Sequence, residues 1–221
     1  MNIIIVRNNY GDSALIDKTV TPRYDFLPET AQLRNERPLF LPDFANPASI
    51  SLYLAVRICR LGRSFCQQVD YETELVVRIN RLGKNISERF AHRYYDAATV
   101  IPHFSVPLAP NGQSADSELP FAATQGFDNA LPTGRYLPID RDQLAACSFS
   151  LSVDGQEQLN GLGSALRFDA DHLIAHLSNY HTVRNGDLLL LGAPAAQLLI
   201  HPERRVETHL NGECVLSFKT K

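Results

Sequence analysis

The sequence predicts an α+β fold that is mainly β. Three observations carry the prediction. Short apolar runs rich in β-branched residues recur along the 221 residues, Gly, Asn, Pro or Asp punctuates them, and helical periodicity is confined to two short segments. No composition shift marks a second core, so one domain is expected over residues 1–221.

Taken in chain order, MNIIIVRNNYG opens with an apolar run but has no basic leader and no small-residue cleavage site. It reads as a first strand, Asn2 to Val6, rather than a signal peptide. Gly11 to Pro38 reads as an irregular arm. Strands are expected at Leu39 to Leu41, Leu52 to Ile58, Glu74 to Ile79, Tyr136 to Pro138 and Phe149 to Val153. The remaining ones are Asp187 to Leu191, Val206 to Leu210 and Cys214 to Phe218. Asn211-Gly212 is a hairpin signal, because both residues tolerate the positive φ of a tight turn, and VDGQ at 153–156 is a second. A helix is expected from Ser87 to Tyr95, capped by the serine. Another is expected from Asp171 to Asn179, with Leu173, Ile174 and Leu177 on one side. The Pro-, Gly- and Ser-rich stretch from Pro107 to Ala123 is either a lid or an insertion.

Composition narrows the function classes. A net charge of −3 and the absence of tryptophan argue against a nucleic-acid surface, and no apolar run reaches the length of a bilayer-spanning helix. Cys59, Cys66, Cys147 and Cys214 fit neither a paired zinc motif nor a disulfide framework, so free thiols in the cytoplasm are expected.

VDYETELVVRINRLGKN, Val69 to Asn85, carries the chemistry. Glu72 and Glu74 are two apart in a strand, so both belong to one face. Two readings stand: a pair of metal ligands, or two charges on a wet sheet surface. Leu54 to Phe65 repeats Leu75 to Ile86 at an offset of 21 with seven identities, and Ser51 and Tyr53 stand where the glutamates would be. A local duplication accounts for the shared order; chance recurrence of a strand-turn pattern is the alternative.

VDYETELVV, FAHRYYD (Phe90 to Asp96), GFDNALPTG (Gly126 to Gly134) and NGDLLLLGAPA (Asn185 to Ala195) occur in that order. In this order they resemble the fumarylacetoacetate hydrolase family, over most of the chain. The resemblance implies a mixed β-roll, with residues 1–45 as a first strand and arm and residues 46–221 as the rolled core. It implies a homodimer. It also implies Mg²⁺ or Mn²⁺, held by a Glu-x-Glu pair and a later acid, which grips a small 2-oxo acid for hydrolysis, isomerisation or decarboxylation. A hard divalent ion takes oxygen ligands and polarises the keto group, which is the chemistry such acids provide.

Glu72 and Glu74 match the family's two glutamates. His103 takes the place of the third acid, and two carboxylates with an imidazole suit Mn²⁺, Fe²⁺ or Zn²⁺ better than Mg²⁺. His103 is thus the expected third ligand or a base. Gln125 stands where the family has a lysine and is expected to hydrogen-bond the substrate. Ser13 lies near the place of the family's histidine and Ala193 in that of its threonine. Asp128 is expected at the site entrance, or as a structural turn residue. Gly192 is expected to offer backbone to the substrate. His172 and His176, four apart on a helix, read as a solvated face rather than a metal pair. These substitutions leave three outcomes: an enzyme favouring decarboxylation or keto–enol isomerisation, an inactive dimeric paralogue, or a small-molecule-binding scaffold.

Overall fold

A computed structural model describes residues 1–11, 21–41, 69–105, 125–194 and 198–221. The strands expected at Leu52 to Ile58, the first copy of the repeat, Ser13, Cys59, Cys66 and the stretch from Pro107 to Ala123 lie outside the described residues.

A seven-stranded sheet forms the centre. Its strands are β1 (Ile3–Arg7), β2 (Arg23–Leu27), β4 (Val69–Ile79), β5 (Tyr95–Ser105), β7 (Leu137–Pro138), β10 (Leu188–Gly192) and β11 (Leu198–Ile200). Their order is β2-β1-β10-β4-β5-β7, with β11 paired to β4. β8 (Ser148–Val153), β9 (Gln156–Leu162), β12 (Arg205–Leu210) and β13 (Glu213–Lys219) make a second sheet ordered β13-β12-β8-β9. β3 (Gln32–Arg34) pairs in parallel with β6 (Leu131–Thr133). β1 and β10 are parallel, whereas β4 is antiparallel to both β10 and β5, so the main sheet is mixed.

Alternation along the strands divides the core between the two faces of this sheet. Ile3, Ile5, Val76, Ile101, Leu188 and Leu190 belong to one cluster, which also takes Leu151, Val206 and Phe218 from the second sheet. Ile4, Val6, Leu75, Val77, Val100 and Leu189 belong to the other. Helix α3 (Ala170–Ser178) covers that second face through Leu173, Ile174 and Leu177, as its spacing predicts. Asp169 caps it by accepting from the His172 amide at 2.8 Å.

Both turn signals are realised: Asp154 and Gly155, and Asn211 and Gly212, all have positive φ. Other expectations need correction. The supposed arm contains β2 and β3, whose mixed polarity reflects half-solvated edge positions. The expected Ser87–Tyr95 helix is only α1 (Glu88–Ala91) followed by a 3-10 turn, and Ser87 makes no side-chain cap bond. The helix stops because Tyr95 is drawn into the sheet opposite Ile79. α2 (Arg141–Ala146) was not legible by period, but Asp140 and Gln143 form a reciprocal capping box that starts it.

No helix among the described residues is long and apolar enough to cross a membrane. Cys147 is buried and Cys214 half-buried, and neither is in a disulfide.

Candidate functional site

The site is built on the long β4–β5 ladder. Its register sets Glu72 directly opposite His103 and Glu74 opposite Ile101. Val76 and Ile101 lie in the same core cluster, so Glu74 and His103, an even number of residues away, are on the face that cluster defines. The backbone of Glu72 occupies the next position of that set, and residues directly opposite on an antiparallel pair have Cβ atoms about 5 Å apart. Thus the register brings the Glu-x-Glu positions and His103 to one patch of sheet. Among the described residues no three His, Cys, Asp or Glu side chains converge; the Glu72 side chain lies outside that description.

β5 tolerates Pro102 here because, among the described residues, the strand that pairs with its other edge, β7, reaches only Ala97 and Ala98. Pro102 pairs with Thr73, and the strand continues through it to Ser105. The Phe104 amide then donates to the Ala130 carbonyl at 2.9 Å. The proline therefore leaves the His103 ring within the patch.

His103 is 1% exposed and Glu74 is 3% exposed. His103 Nε2 is 2.7 Å from the Gln125 carbonyl oxygen. A carbonyl only accepts, so Nε2 carries the proton and Nδ1 the lone pair. Burial pushes the imidazole down from its ordinary value to about 4; the Gln125 carbonyl opposes this, and the Arg7 charge adds to it. At neutral pH the ring is an uncharged lone-pair donor and a weak base. Gln125 thus contributes its backbone to the site by fixing the tautomer, a role its side-chain chemistry does not announce.

The same shift sets a pH dependence. In the unfolded chain His103 protonates near 6.5, whereas in the fold it stays neutral down to about 4. The unfolded state takes up the proton first as pH falls. A stabilising contribution complete above pH 6.5 is therefore lost progressively between 6.5 and 4, by about 3 kcal/mol. Urea unfolding in EDTA across that window measures it. His103→Asn, which has no titrating ring, flattens the slope; an unchanged slope refutes the assignment.

Gly192 ends β10 at a register shift, opposite Leu75, with φ +139°. Only glycine adopts that conformation without strain. Asn9, 1% exposed, holds this corner: its Nδ2 donates to the carbonyls of Leu191 at 2.7 Å and Phe168 at 3.0 Å, and its Oδ1 accepts from the Phe168 amide at 2.8 Å. Asp128 is exposed in the turn after Gln125, and its side chain makes no hydrogen bond among the described residues. Arg135 binds the Cys214 carbonyl at 2.6 and 3.0 Å and Glu213 at 2.7 Å, so it fastens the β12–β13 hairpin.

The sequence reading gave no role to Arg7. It ends β1 on the Ile3 and Ile5 face, the face of Glu74 and His103. Its Nε donates to Asp25 at 2.6 Å. The alternation Ile3, Ile5, Arg7 was the available signal.

Two other clusters are separate from this patch. His172 Nδ1 meets Glu88 at 3.1 Å and His176 Nδ1 meets the Tyr24 hydroxyl at 3.1 Å, as the rings stack along α3. A cavity of about 240 Å³ lies by the first turn of α3, lined by Tyr95, Arg141 and the buried Asp171 together with apolar residues such as Leu144 and Leu166.

The family model for the fumarylacetoacetate (FAA) hydrolase C-terminal domain matches residues 26–218. The chain is 28% identical over 145 residues to the mitochondrial oxaloacetate decarboxylase of Dictyostelium discoideum, covering 65% of this chain and 66% of that protein. It is 22% identical over 229 residues to the mouse mitochondrial oxaloacetate tautomerase FAHD1, covering 100% of this chain and 91% of that protein. Among solved structures it resembles fumarylpyruvate hydrolase from Pseudomonas aeruginosa in complex with Mn²⁺ and pyruvate. That match has a TM-score of 0.73 and 19% identity, over 100% of this chain and 89% of that one.

Proposed function

Because the chain belongs to the fumarylacetoacetate hydrolase family, we propose that it catalyses keto–enol isomerisation or decarboxylation of a small 2-oxo dicarboxylic acid of the oxaloacetate type. The observation that carries this reading is the placement of a neutral, buried His103 directly across the ladder from Glu72, with Glu74 on the same face. That donor set fits a divalent ion. His103 offers one oriented lone pair and no charge, which suits Mn²⁺, Fe²⁺ or Zn²⁺. Its Nε2–H···O=C bond to Gln125 is the kind of second contact that orients a ligating imidazole.

Glu72, Glu74 and His103 would hold the ion. When bound there, it supplies Lewis acidity that acidifies the carbon next to a 2-oxo group and eases loss of a neighbouring carboxylate. Gln125 holds His103 in one tautomer through its carbonyl, and its side chain would hydrogen-bond the substrate. The Gly192 corner, held by Asn9, would offer backbone rather than a side chain to the substrate. Hydrolysis is disfavoured because it needs an activated water, and an imidazole that protonates near pH 4 is a poor base at neutral pH.

Gln125 in place of a lysine and Ala193 in place of a threonine favour, as a second reading, a binding scaffold without turnover. One assay separates the two. Oxaloacetate loss and keto–enol exchange are followed with Mg²⁺ or Mn²⁺ and again after EDTA. Turnover that EDTA abolishes is the expected result. Thermal stabilisation by oxaloacetate without turnover selects the scaffold. Neither response ends both readings.

A further inference from the structure

We infer that one end of the molecule is a docking surface for an anionic lipid bilayer. Leu82, Phe90 and Tyr180 enter the headgroup layer there, and Arg81, Lys84, Arg89, Arg93 and Arg184 meet the lipid charge. This role is separate from the chemistry proposed above.

Three segments are stitched together at this end. Residues 80–85 leave β4, residues 88–94 are α1 and its 3-10 turn, and residues 179–184 follow α3. Gly83 and Val183 exchange backbone hydrogen bonds at 3.0 and 2.9 Å. The Asn80 amide donates to the Tyr94 carbonyl at 3.0 Å, and Lys84 Nζ donates to the Asn179 carbonyl at 3.1 Å. Gly83 lies against the Tyr94 ring and Ile86, where a Cβ would overlap both. The loop is thus pinned from inside by Gly83 and the buried Ile86, and Leu82 is left outside, 69% exposed. Tyr180 is 67% exposed and Phe90 42%.

The five cations are all exposed. None of them is in an ion pair among the described residues, whereas Arg34, Arg78, Arg135, Arg141, Arg204 and Arg205 all are. Glu88 is the one acid in these three segments, and it is turned to His172 Nδ1 at 3.1 Å. The net charge of −3 therefore hides a cationic end. Arg81 lies 5.7 Å from the centre of the Tyr94 ring, and Arg89 and Arg93 lie 5.5 and 4.9 Å from that of Phe90. Their apolar stems cover the ring sides while their charges remain in water, the arrangement that suits a headgroup layer.

Charge and apolar tips together select the partner. Each Lys or Arg at an anionic membrane strengthens attachment about fivefold, and exposed apolar side chains add burial below the headgroups. The three apolar tips come from three separate segments, each with cations beside it. A fluid lipid surface meets such scattered tips without any matching shape, whereas a polypeptide partner is held by anchors gathered in one packed pocket. β4 runs from Glu74 to this end over five residues, about 17 Å, so docking leaves the candidate site clear of the bilayer.

The test floats the full chain with vesicles of phosphatidylcholine and phosphatidylglycerol in equal parts, and with vesicles of phosphatidylcholine alone. Binding to the mixed vesicles only, weakening as salt rises, is expected. Arg89→Glu with Arg93→Glu is expected to weaken it at least about tenfold, and Leu82→Ser about fivefold with its salt dependence unchanged. Should the arginine pair lose its fold by circular dichroism, Arg81→Glu with Lys84→Glu decides. Lys219→Glu with Lys221→Glu makes the same change in net charge elsewhere and is expected to bind as the wild type does. An equal loss in that control overturns the inference, as does a wild type that binds no mixed vesicles. Binding of polyglutamate through these same cations, with none to vesicles, also overturns it and assigns the surface to an acidic protein.

Discussion

Glu74→Gln is expected to lower Mn²⁺-dependent oxaloacetate turnover, the activity proposed for this site, by about 10³-fold. The change keeps the size and shape of the side chain and removes its negative charge, so the backbone of β4 has no reason to move. A metal acting as Lewis acid supplies several kcal/mol of transition-state stabilisation, and a loss of about 4 kcal/mol corresponds to a thousandfold in rate. Glu74 is 3% exposed, so a solvent-facing surface charge is the wrong description of it, and the wet-sheet reading of the Glu-x-Glu motif fails at this position. Steady-state assays of both proteins, with metal content measured in the same samples, check the result. A variant that retains wild-type activity and wild-type metal content contradicts the site.

The second large effect concerns stability. Gly134 closes the GFDNALPTG motif, and its role is close packing. A Cβ at this position would overlap the Val215 carbonyl and stand 2.9 Å from the Leu216 Cα. Both obstacles are backbone of β13 and cannot swing aside. The neighbouring contacts show how tightly the segment is held: the Arg135 amide donates to the Val215 carbonyl at 2.9 Å, and the Thr99 hydroxyl donates to the Arg135 carbonyl at 2.8 Å. Gly134→Ala is expected to cost about 3 kcal/mol or more, in the range of severe overpacking. Urea or thermal unfolding measures it. A cost below about 1 kcal/mol means that β13 and the Gly134 segment separate more easily than their packing indicates.

Legibility followed locality. Strand β1 and the β12–β13 hairpin were readable because their signals are contiguous: an apolar run, or an Asn-Gly between two alternating segments. Helix α3 was readable because Leu173, Ile174 and Leu177 fall on one side. β5 was not, since Tyr95–Ser105 is buried at nearly every position and interrupts its apolar run with Pro102 and His103, so no alternation survives. β2 was hidden by its edge position, where Arg23, Tyr24 and Asp25 face solvent in part. The acid pair was readable because two residues in one strand share a face by geometry alone. That His103 stands across the ladder from this pair of positions needed the resemblance to order the motifs and the ladder to set the register. The place of β1 in the sheet could not be read, because its parallel neighbour β10 arrives far later in the chain.

That last relation also bears on how the chain comes into being. Ile3 lies beside Leu188, and Asn2 beside Asp187, partners 185 residues apart. At ribosomal rates of about 5–20 residues per second, the opening strand waits roughly 10–40 s for its parallel neighbour. During that interval the Ile-Ile-Ile-Val strand lacks the neighbour that covers its second edge in the fold, so the order of synthesis leaves an apolar edge open until β10 is made.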